Sequence, residues 1–423
     1  MEVDVTDVAY GPAALGRTDE GQVVFVDDSL PGERVVAEVA SRKRRFINTR
    51  AVEVLRPSAV RAEPPCPYVP ACGGCQWQHA SYQAQVEMKA RVLSETLRRA
   101  GALGPAAEVI PCAEPLRYRI RGEFHVVPGG GGQGHRLGFN RRRSYDVVPV
   151  DDCLIHHPNI TEALPGIGRA LDQVGPHAIR GIRLTTTPQR RELLWRALGA
   201  VAPAGMQAAL EAELGGWLVH QDSLTLDFAG PRLDGREADV MFRVDSDTFV
   251  QVNHAQAHLL YGKALEYIGS RPGRLVEGYA GFGAMSFLAG TRPDARARPS
   301  TTTLIEENRA ALVMARLHAR LHGVDEVVLL PGTVEERLPQ LEPGEVDTLL
   351  LDPPRAGLDP AVVREVERLR PGRVVYVSCD PSTLGRDLNR LAAGGYEVAA
   401  QALVDMFPQT YHIESVSLLT MRS

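Results

Sequence analysis

The stretch Leu275-Val-Glu-Gly-Tyr279-Ala-Gly281-Phe-Gly283 places glycines directly after a short apolar run and before a helix-like segment. Glycines at such a junction let the backbone approach a bound nucleotide-type cofactor closely. The stretch has neither a G-x-G-x-x-G pattern nor a Walker lysine, so a structural turn is the competing reading. Similar apolar runs follow at Thr303–Glu306, Val327–Leu330, Val346–Asp352 and Val374–Ser378, separated by helix-like segments of which Asn308 to His322 is the clearest. Such alternation predicts a mainly parallel sheet covered on both faces, and ligands of these sheets bind beyond the carboxyl ends of the strands. The suggestive residues fall at those ends. Glu306 closes the second run, where an acid suits ribose hydroxyls; a solvated helix start is the alternative, since Glu307 and Asn308 follow. In Asp352-Pro-Pro-Arg355, two prolines end the strand and hold the aspartate at the sheet edge. Cys379 precedes Asp380-Pro381, a suitable N-cap and first helical residue. A thiol at a helix N-terminus is expected to have a lowered pKa and to be a nucleophile candidate, against the commoner fate of a buried inert cysteine. The segment Asp405 to Glu414, which includes His412, leads into a last strand at Ser415–Thr420 and offers an acid and a histidine to the same cleft.

At 423 residues, the chain is long enough for two or three domains. Residues 1–58 carry short alternating apolar stretches broken by glycines, the pattern of a small antiparallel barrel. Five prolines between Pro57 and Pro70 mark a boundary, and apolar spacing predicts a helix from Ser81 to Ala100. The expected organisation is a barrel at 1–58, a central α+β domain at 59–243 and a Rossmann-like domain at 244–423. The run Gly129 to Gly132 reads as a hairpin tip. The absence of a long uncharged apolar run excludes a membrane-spanning helix. The N-terminus does not read as a secretory signal, so a cytoplasmic protein is expected.

Net charge is −5, with 47 basic and 52 acidic residues, which argues against a wholesale nucleic-acid coat. Seven arginines between Arg117 and Arg143 nevertheless face one acid, Glu123, and Arg42-Lys43-Arg44-Arg45 forms a second basic cluster. Solvated faces and phosphate binding are both consistent with such runs. Cys66, Cys72 and Cys75 form a C-x5-C-x2-C cluster with Cys153 remote from it. Three close thiols and one distant one can complete a four-sulfur site; the spacing alone does not separate zinc from iron, and ordinary thiols remain the alternative.

Five motifs add a resemblance. CGGCQWQHASYQAQ with the upstream Cys66, FVQVN at 249–253, LDPPRAG at 351–357, VYVSCDPSTLGRDL at 375–388 and DMFPQTYHIE at 405–414 resemble, in order and spacing, the bacterial RNA uracil-5-methyltransferases. The N-terminal barrel is similar to that family's RNA-binding TRAM domain. A TRAM domain with a cysteine cluster is most similar to the branch acting on 23S ribosomal RNA, with transfer RNA the alternative substrate. The resemblance implies S-adenosylmethionine as methyl donor and a 4Fe-4S cluster on Cys66, Cys72, Cys75 and Cys153. It implies Cys379 as nucleophile and Glu414 as general base, with Gln251, Tyr279, Gly281, Gly283, Glu306 and Asp352 around the donor. Phe249 would lie near the target base, while the basic run from Arg117 to Arg143 offers Arg117, Arg119, Arg121, Arg141 and Arg142 as the expected RNA contacts. No obligate protein partner is inferred.

The chain departs from the family pattern at Glu277, Ala280 and Ala284 of the glycine loop, at His318 and His322 where paired asparagines are usual, at Thr333, and at Asp380 where asparagine is usual. These departures motivate a second reading, an RNA-binding factor with weakened donor binding. A third, an amino-methyltransferase acting through Asp-Pro-Pro, is disfavoured because Arg355 stands where an aromatic residue is expected.

Overall fold

The computed structural model describes residues 1–422 apart from 103, 130–133 and 232–236, with backbone only for 228–231 and 237–239. Strands β1 (Glu2–Val8), β2 (Ala14–Arg17), β3 (Val23–Asp27), β4 (Arg34–Arg42) and β5 (Phe46–Arg56) close into a barrel in the order β1-β2-β3-β5-β4. Alternate residues, among them Val3, Val5, Val24, Val26, Val35 and Ile47, fill its interior, as a period of two dictates. The proline-rich stretch and the cysteine loop then lead to helix α1 (Tyr82–Arg99), capped by Ser81, whose side chain accepts from Ala84 N.

Strand β6 (Glu108–Ile110) precedes a six-stranded sheet built from β7 (Arg121–Pro128), β8 (His135–Asn140), β9 (Val147–Pro149), β10 (Gly181–Thr186), β11 (Glu192–Leu198) and β12 (Leu218–His220). Helices α2 (Pro158–Gln173) and α3 (Met206–Glu213) pack on it around Trp195, Ile160, Leu164, Ile167 and Leu210. β7 pairs antiparallel with β8, consistent with a hairpin, although most of the glycine run between them lies outside the described residues. A second hairpin, β13 (Ser223–Pro231) with β14 (Glu237–Asp245), leads to α4 (His254–Ile268).

The C-terminal part alternates as its sequence pattern requires. It comprises β15 (Arg274–Gly278), α5 (Ala284–Gly290), β16 (Thr301–Glu306), α6 (Arg309–His322), β17 (Val327–Pro331) and α7 (Val334–Arg337). These are followed by β18 (Thr348–Leu351), α8 (Pro360–Leu369), β19 (Arg373–Ser378), α9 (Pro381–Ala393), β20 (Tyr396–Val404) and β21 (Glu414–Met421). The sheet runs β17-β16-β15-β18-β19-β21-β20-β6, and β21 lies antiparallel to both of its neighbours. Leu275, Leu304, Leu350 and Val375 bury against α4, α5 and α6. Their alternates Val276, Ile305, Leu349 and Val374 bury against α1, α8 and α9. α1 and β6 therefore leave the segment expected as the central domain and join the C-terminal layers. The strand order reverses between β15 and β18, a topological switch point where a crevice opens beyond the strand ends. Among the described residues no helix is long and apolar enough to cross a membrane.

Candidate active site at the carboxyl edge of the sheet

Cys379 stands between the end of β19 and α9. Asp380 caps that helix, its carboxylate accepting from Ser382 N at 2.8 Å and Thr383 N at 3.2 Å. This cap corrects the expectation of an acidic thiol. The free amides are taken by Asp380, while burial, Glu414 and Asp352 push the Cys379 thiol up to about 12, with Arg355 opposing. Glu414 opens β21 and is 3% exposed. Burial, then the nearby Asp352, hold its carboxyl well above the usual range. Burial pushes Asp352 up to about 7. A thiol and two carboxyls thus lie close enough to influence one another, with the Arg355 cation opposing them. The Arg355 guanidinium donates to His412 Nδ1 at 3.3 Å. Burial, then Arg355, push that imidazole down to about 4, which keeps it a neutral acceptor. Arg355 and Tyr10 are the site neighbours that the sequence reading did not assign; the position of Arg355 directly after Asp-Pro-Pro was the available signal.

The glycine loop wraps the end of β15. Gly281 N donates to Glu306 Oε2 at 2.8 Å and Asn308 N to Glu306 Oε1 at 2.7 Å, so the acid of the second strand fixes the loop. Gly283, with φ of +80°, caps α5; a Cβ there would stand 2.6 Å from Leu304 Cδ1, which requires glycine. Tyr279 also has a left-handed backbone, φ +59°, and its hydroxyl donates to Glu335 Oε1 at 3.0 Å. Glu277 is buried beneath the loop, accepts from Ser286 N at 3.2 Å and is pushed by burial up to about 8. The other departures have structural uses. Thr333 forms a capping box with Glu336 at α7. His318 is buried against Phe242 and Phe282, its Nε2 3.0 Å from the Arg243 carbonyl, and so fastens the β13–β14 hairpin to α6. Gln251 is buried between that hairpin and α4, whereas Phe249, two residues earlier, is 69% exposed.

Cys66, Cys72, Cys75 and Cys153 all line one cavity of about 550 Å³, which Phe249 and Arg119 also border. Burial pushes Cys75 up to about 12 and Cys153 up to about 11. Among the described residues no three Cys, His, Asp or Glu side chains are grouped closely enough to hold a metal ion. Three of the arginines expected at RNA are engaged internally. Arg117 is bridged to Asp152, Nη2 to Oδ2 at 2.7 Å, and Arg142 to Asp28 at 2.5 Å. Arg121 donates to Thr185 Oγ1 at 2.7 Å and to the Asp245 carbonyl at 3.2 Å. Arg119 is half-buried and Arg141 is exposed, as are Arg42, Lys43, Arg44 and Arg45 at the turn between β4 and β5.

A doubly wound sheet in the order β17-β16-β15-β18-β19-β21-β20, with β21 antiparallel, a glycine loop after β15 and an acid closing β16, has the class I methyltransferase fold. Residues 336–422 match the family described as tRNA (Uracil-5-)-methyltransferase, and residues 1–51 match the TRAM domain. An uncharacterized RNA methyltransferase of Streptomyces coelicolor is 34% identical, over 99% of this chain and 92% of its own length. A 23S rRNA (uracil(1939)-C(5))-methyltransferase of Chromohalobacter salexigens is 32% identical, over 99% of this chain and 89% of its own. The solved Pyrococcus abyssi tRNA (uracil-54, C5)-methyltransferase, in complex with S-adenosyl-L-homocysteine, shares the fold, with a TM-score of 0.75 and 22% identity over 99% of this chain and all of that one. The chain belongs to the RNA uracil-5-methyltransferase family, and it is an S-adenosylmethionine-dependent enzyme.

Proposed function

We propose that this protein methylates carbon 5 of a uridine in 23S ribosomal RNA through a covalent adduct on Cys379. The observation that carries the reading is the convergence of Cys379, Glu414 and Asp352 in one buried cleft beside Arg355. Carbon 5 of uracil is a poor nucleophile until a thiolate adds to carbon 6 and leaves an enolate. S-adenosylmethionine supplies the electrophilic methyl group. Cys379 gives up its proton to solvent as its sulfur bonds to carbon 6, and the enolate takes the methyl at carbon 5 as the sulfonium carbon–sulfur bond breaks and leaves S-adenosylhomocysteine. Glu414 then removes the carbon 5 proton, and the electrons that this frees expel the thiolate and restore the double bond. Gln251, Tyr279, Gly281, Gly283, Glu306 and Asp352 surround the donor; Glu306 keeps the loop closed against it. Phe249, exposed at the cavity mouth, offers a face on which an extruded base can stack.

Residues 1–58 and 59–243, apart from α1 and β6, act as the RNA-binding part, and residues 244–423 with α1 and β6 as the catalytic one, working in the cytoplasm. Arg42 to Arg45, Arg119 and Arg141 supply phosphate contacts, while Arg117, Arg121 and Arg142 position the segments that carry them. The preference for 23S RNA is supported by the full-length likeness to the Chromohalobacter enzyme. Labelled methyl donor offered to unmodified 23S RNA and to transfer RNA should give labelled 5-methyluridine in the first. Label in transfer RNA alone overturns the substrate, and label in neither favours a binding factor.

The four cysteines lining one cavity suit a 4Fe-4S cluster. The donor set is all sulfur, and Phe139, Val150 and Ile155 line the same walls. Bound, the cluster would brace the loop; methyl transfer from a sulfonium needs no electron. Gln76 N and Trp77 N, next to Cys75, both donate to the Gln409 carbonyl at 3.1 Å, tying the cysteine loop to the segment that carries Glu414. Anaerobically purified protein should contain iron and sulfide, and zinc in their place would overturn the assignment.

A further inference from the structure

The barrel reaches the reactive centre. Tyr10 lies just after β1, and its hydroxyl donates to the backbone carbonyl of Cys379 at 3.1 Å, across 369 positions of chain. Its ring meets Tyr411 edge-on, with centroids 5.7 Å apart. Val8, the last residue of β1, packs against the cluster formed by Leu30, Trp77 and Met88, as does Tyr411. Ion pairs hold the barrel in that pose: Asp7 with Arg91 of α1 at 3.1 Å, Asp27 with Arg143 at 2.6 Å and Asp28 with Arg142 at 2.5 Å.

The Cys379 carbonyl lies beyond the pairing of β19 with β21, which ends at Ser378 opposite Ser415. A backbone acceptor just past a ladder needs a donor from elsewhere, and the barrel supplies it. Burial keeps the Tyr10 phenol protonated, ahead of smaller contributions from Asp380 and Cys379, so it can only donate to that carbonyl.

We infer that Tyr10 is a positioning residue for methyl transfer: the barrel's phenol fixes the backbone of Cys379 and thereby sets where the sulfur meets carbon 6 of the bound uracil. The inference rests on the adduct mechanism proposed above. A nucleophile must be held within about 3–3.5 Å of its target with its orbital aligned, so loosening its backbone slows addition without altering how RNA is held. The module that carries the exposed basic turn at Arg42–Arg45 therefore also forms part of the scaffold of the reactive thiol.

The test compares wild type, Y10F and Y10L as full-length, anaerobically purified proteins, each assayed well below its own melting midpoint. With 5-fluorouridine-substituted 23S RNA and S-adenosylmethionine, the adduct is trapped because fluorine at carbon 5 cannot be removed as a proton. RNA affinity and the saturating rate of adduct formation are read separately. Phenylalanine keeps the edge-on ring and loses only the hydroxyl. Both variants should form the adduct roughly five- to tenfold more slowly, the loss of one hydrogen bond at the transition state, with unchanged RNA affinity. A wild-type rate in Y10F, whatever Y10L does, reduces the residue to packing and overturns the inference. A loss of RNA affinity that accounts for the whole effect overturns it as well. If wild-type protein methylates RNA but traps no adduct, the mechanism itself fails, an outcome distinct from a failure of Tyr10 alone.

Discussion

Cys379 shows how far chemistry can be read from a motif and where it needs the fold. The thiol lies at a strand end before a helix, as its sequence context implies, yet the helix amides are already taken by the Asp380 carboxylate. Burial then dominates and keeps the thiol protonated. The nucleophile is consequently formed only when the bound substrate and Arg355 compensate for its charge. Asp352 extends the argument to the donor. Burial raises its pKa to about 7, so neutral and ionised forms coexist near physiological pH, and a sulfonium cation bound beside it, as proposed above, would favour the carboxylate. The proton therefore leaves on binding, and the affinity for S-adenosylmethionine should rise by up to about tenfold between pH 6 and pH 8. S-adenosylhomocysteine, an uncharged thioether at that position, should show little of this rise, and D352N should abolish it. Calorimetry in buffers of different ionisation enthalpy measures both affinity and proton release; equal pH profiles for the two ligands would remove Asp352 from the sulfonium. Glu414 gives a separate test. Without a base, methylation proceeds but the carbon 5 proton stays, so E414Q should accumulate a methylated RNA–protein adduct on unsubstituted RNA. Denaturing gels with labelled methyl donor detect it, and E414Q turning over at the wild-type rate would assign the base elsewhere.

Helix α1 was legible as an element from the spacing of Val86, Val92, Leu93 and Leu97, but its role was not. Lys89, which helical spacing places on the same face as Val86 and Leu93, is fully buried and pairs with the equally buried Asp405 at 2.6 Å. It also donates to the Phe407 carbonyl at 2.8 Å, while Tyr82 of the same helix donates to Asp405 Oδ2 at 2.8 Å. Gln85 is bonded twice to Gln409, through its carbonyl to Gln409 N and through its amide to Gln409 Oε1. One helix thus holds the segment that delivers Glu414, more than 300 positions along the chain, and no local pattern encodes a partner that distant. Strand β6 escaped notice for a related reason: three residues at a sheet edge carry too little periodicity to separate from loop. Removing one member of a buried pair leaves the other uncompensated, so K89M should cost about 3–5 kcal/mol, whereas K89M/D405N should recover part of that loss. Denaturant unfolding of the two variants and wild type measures it. Equal stability of K89M and wild type would mean that Asp405 takes up a proton at negligible cost and that the pair does not secure the loop.

The distribution of charge over the protein explains why RNA contacts were only partly legible. An arginine-rich run reads alike whether its partners are phosphates or the chain's own acids, and here Arg117, Arg136, Arg142 and Arg143 meet Asp152, Asp151, Asp28 and Asp27. The last two pairs join the central segment to the barrel and are part of the architecture. The turn Arg42-Lys43-Arg44-Arg45 is different, exposed throughout and projecting from the barrel between β4 and β5. Its sequence signature was no stronger than that of the other run; only the fold separates them. On a protein of net charge −5, affinity for a polyanion must come from such a local patch, because the long-range field opposes approach. Each phosphate neutralised releases counterions, giving a slope of log affinity against log salt of about −0.7 to −0.9 per contact. Replacing all four side chains by alanine should therefore flatten the slope by about three, with affinity falling most at low salt and the saturating rate of adduct formation unchanged. Replacing Arg142 should instead loosen the barrel, lowering thermal stability while the salt slope changes by less than about one. Filter binding across a salt series distinguishes these outcomes, and a slope unchanged by loss of the basic turn would place the RNA path on another face of the barrel.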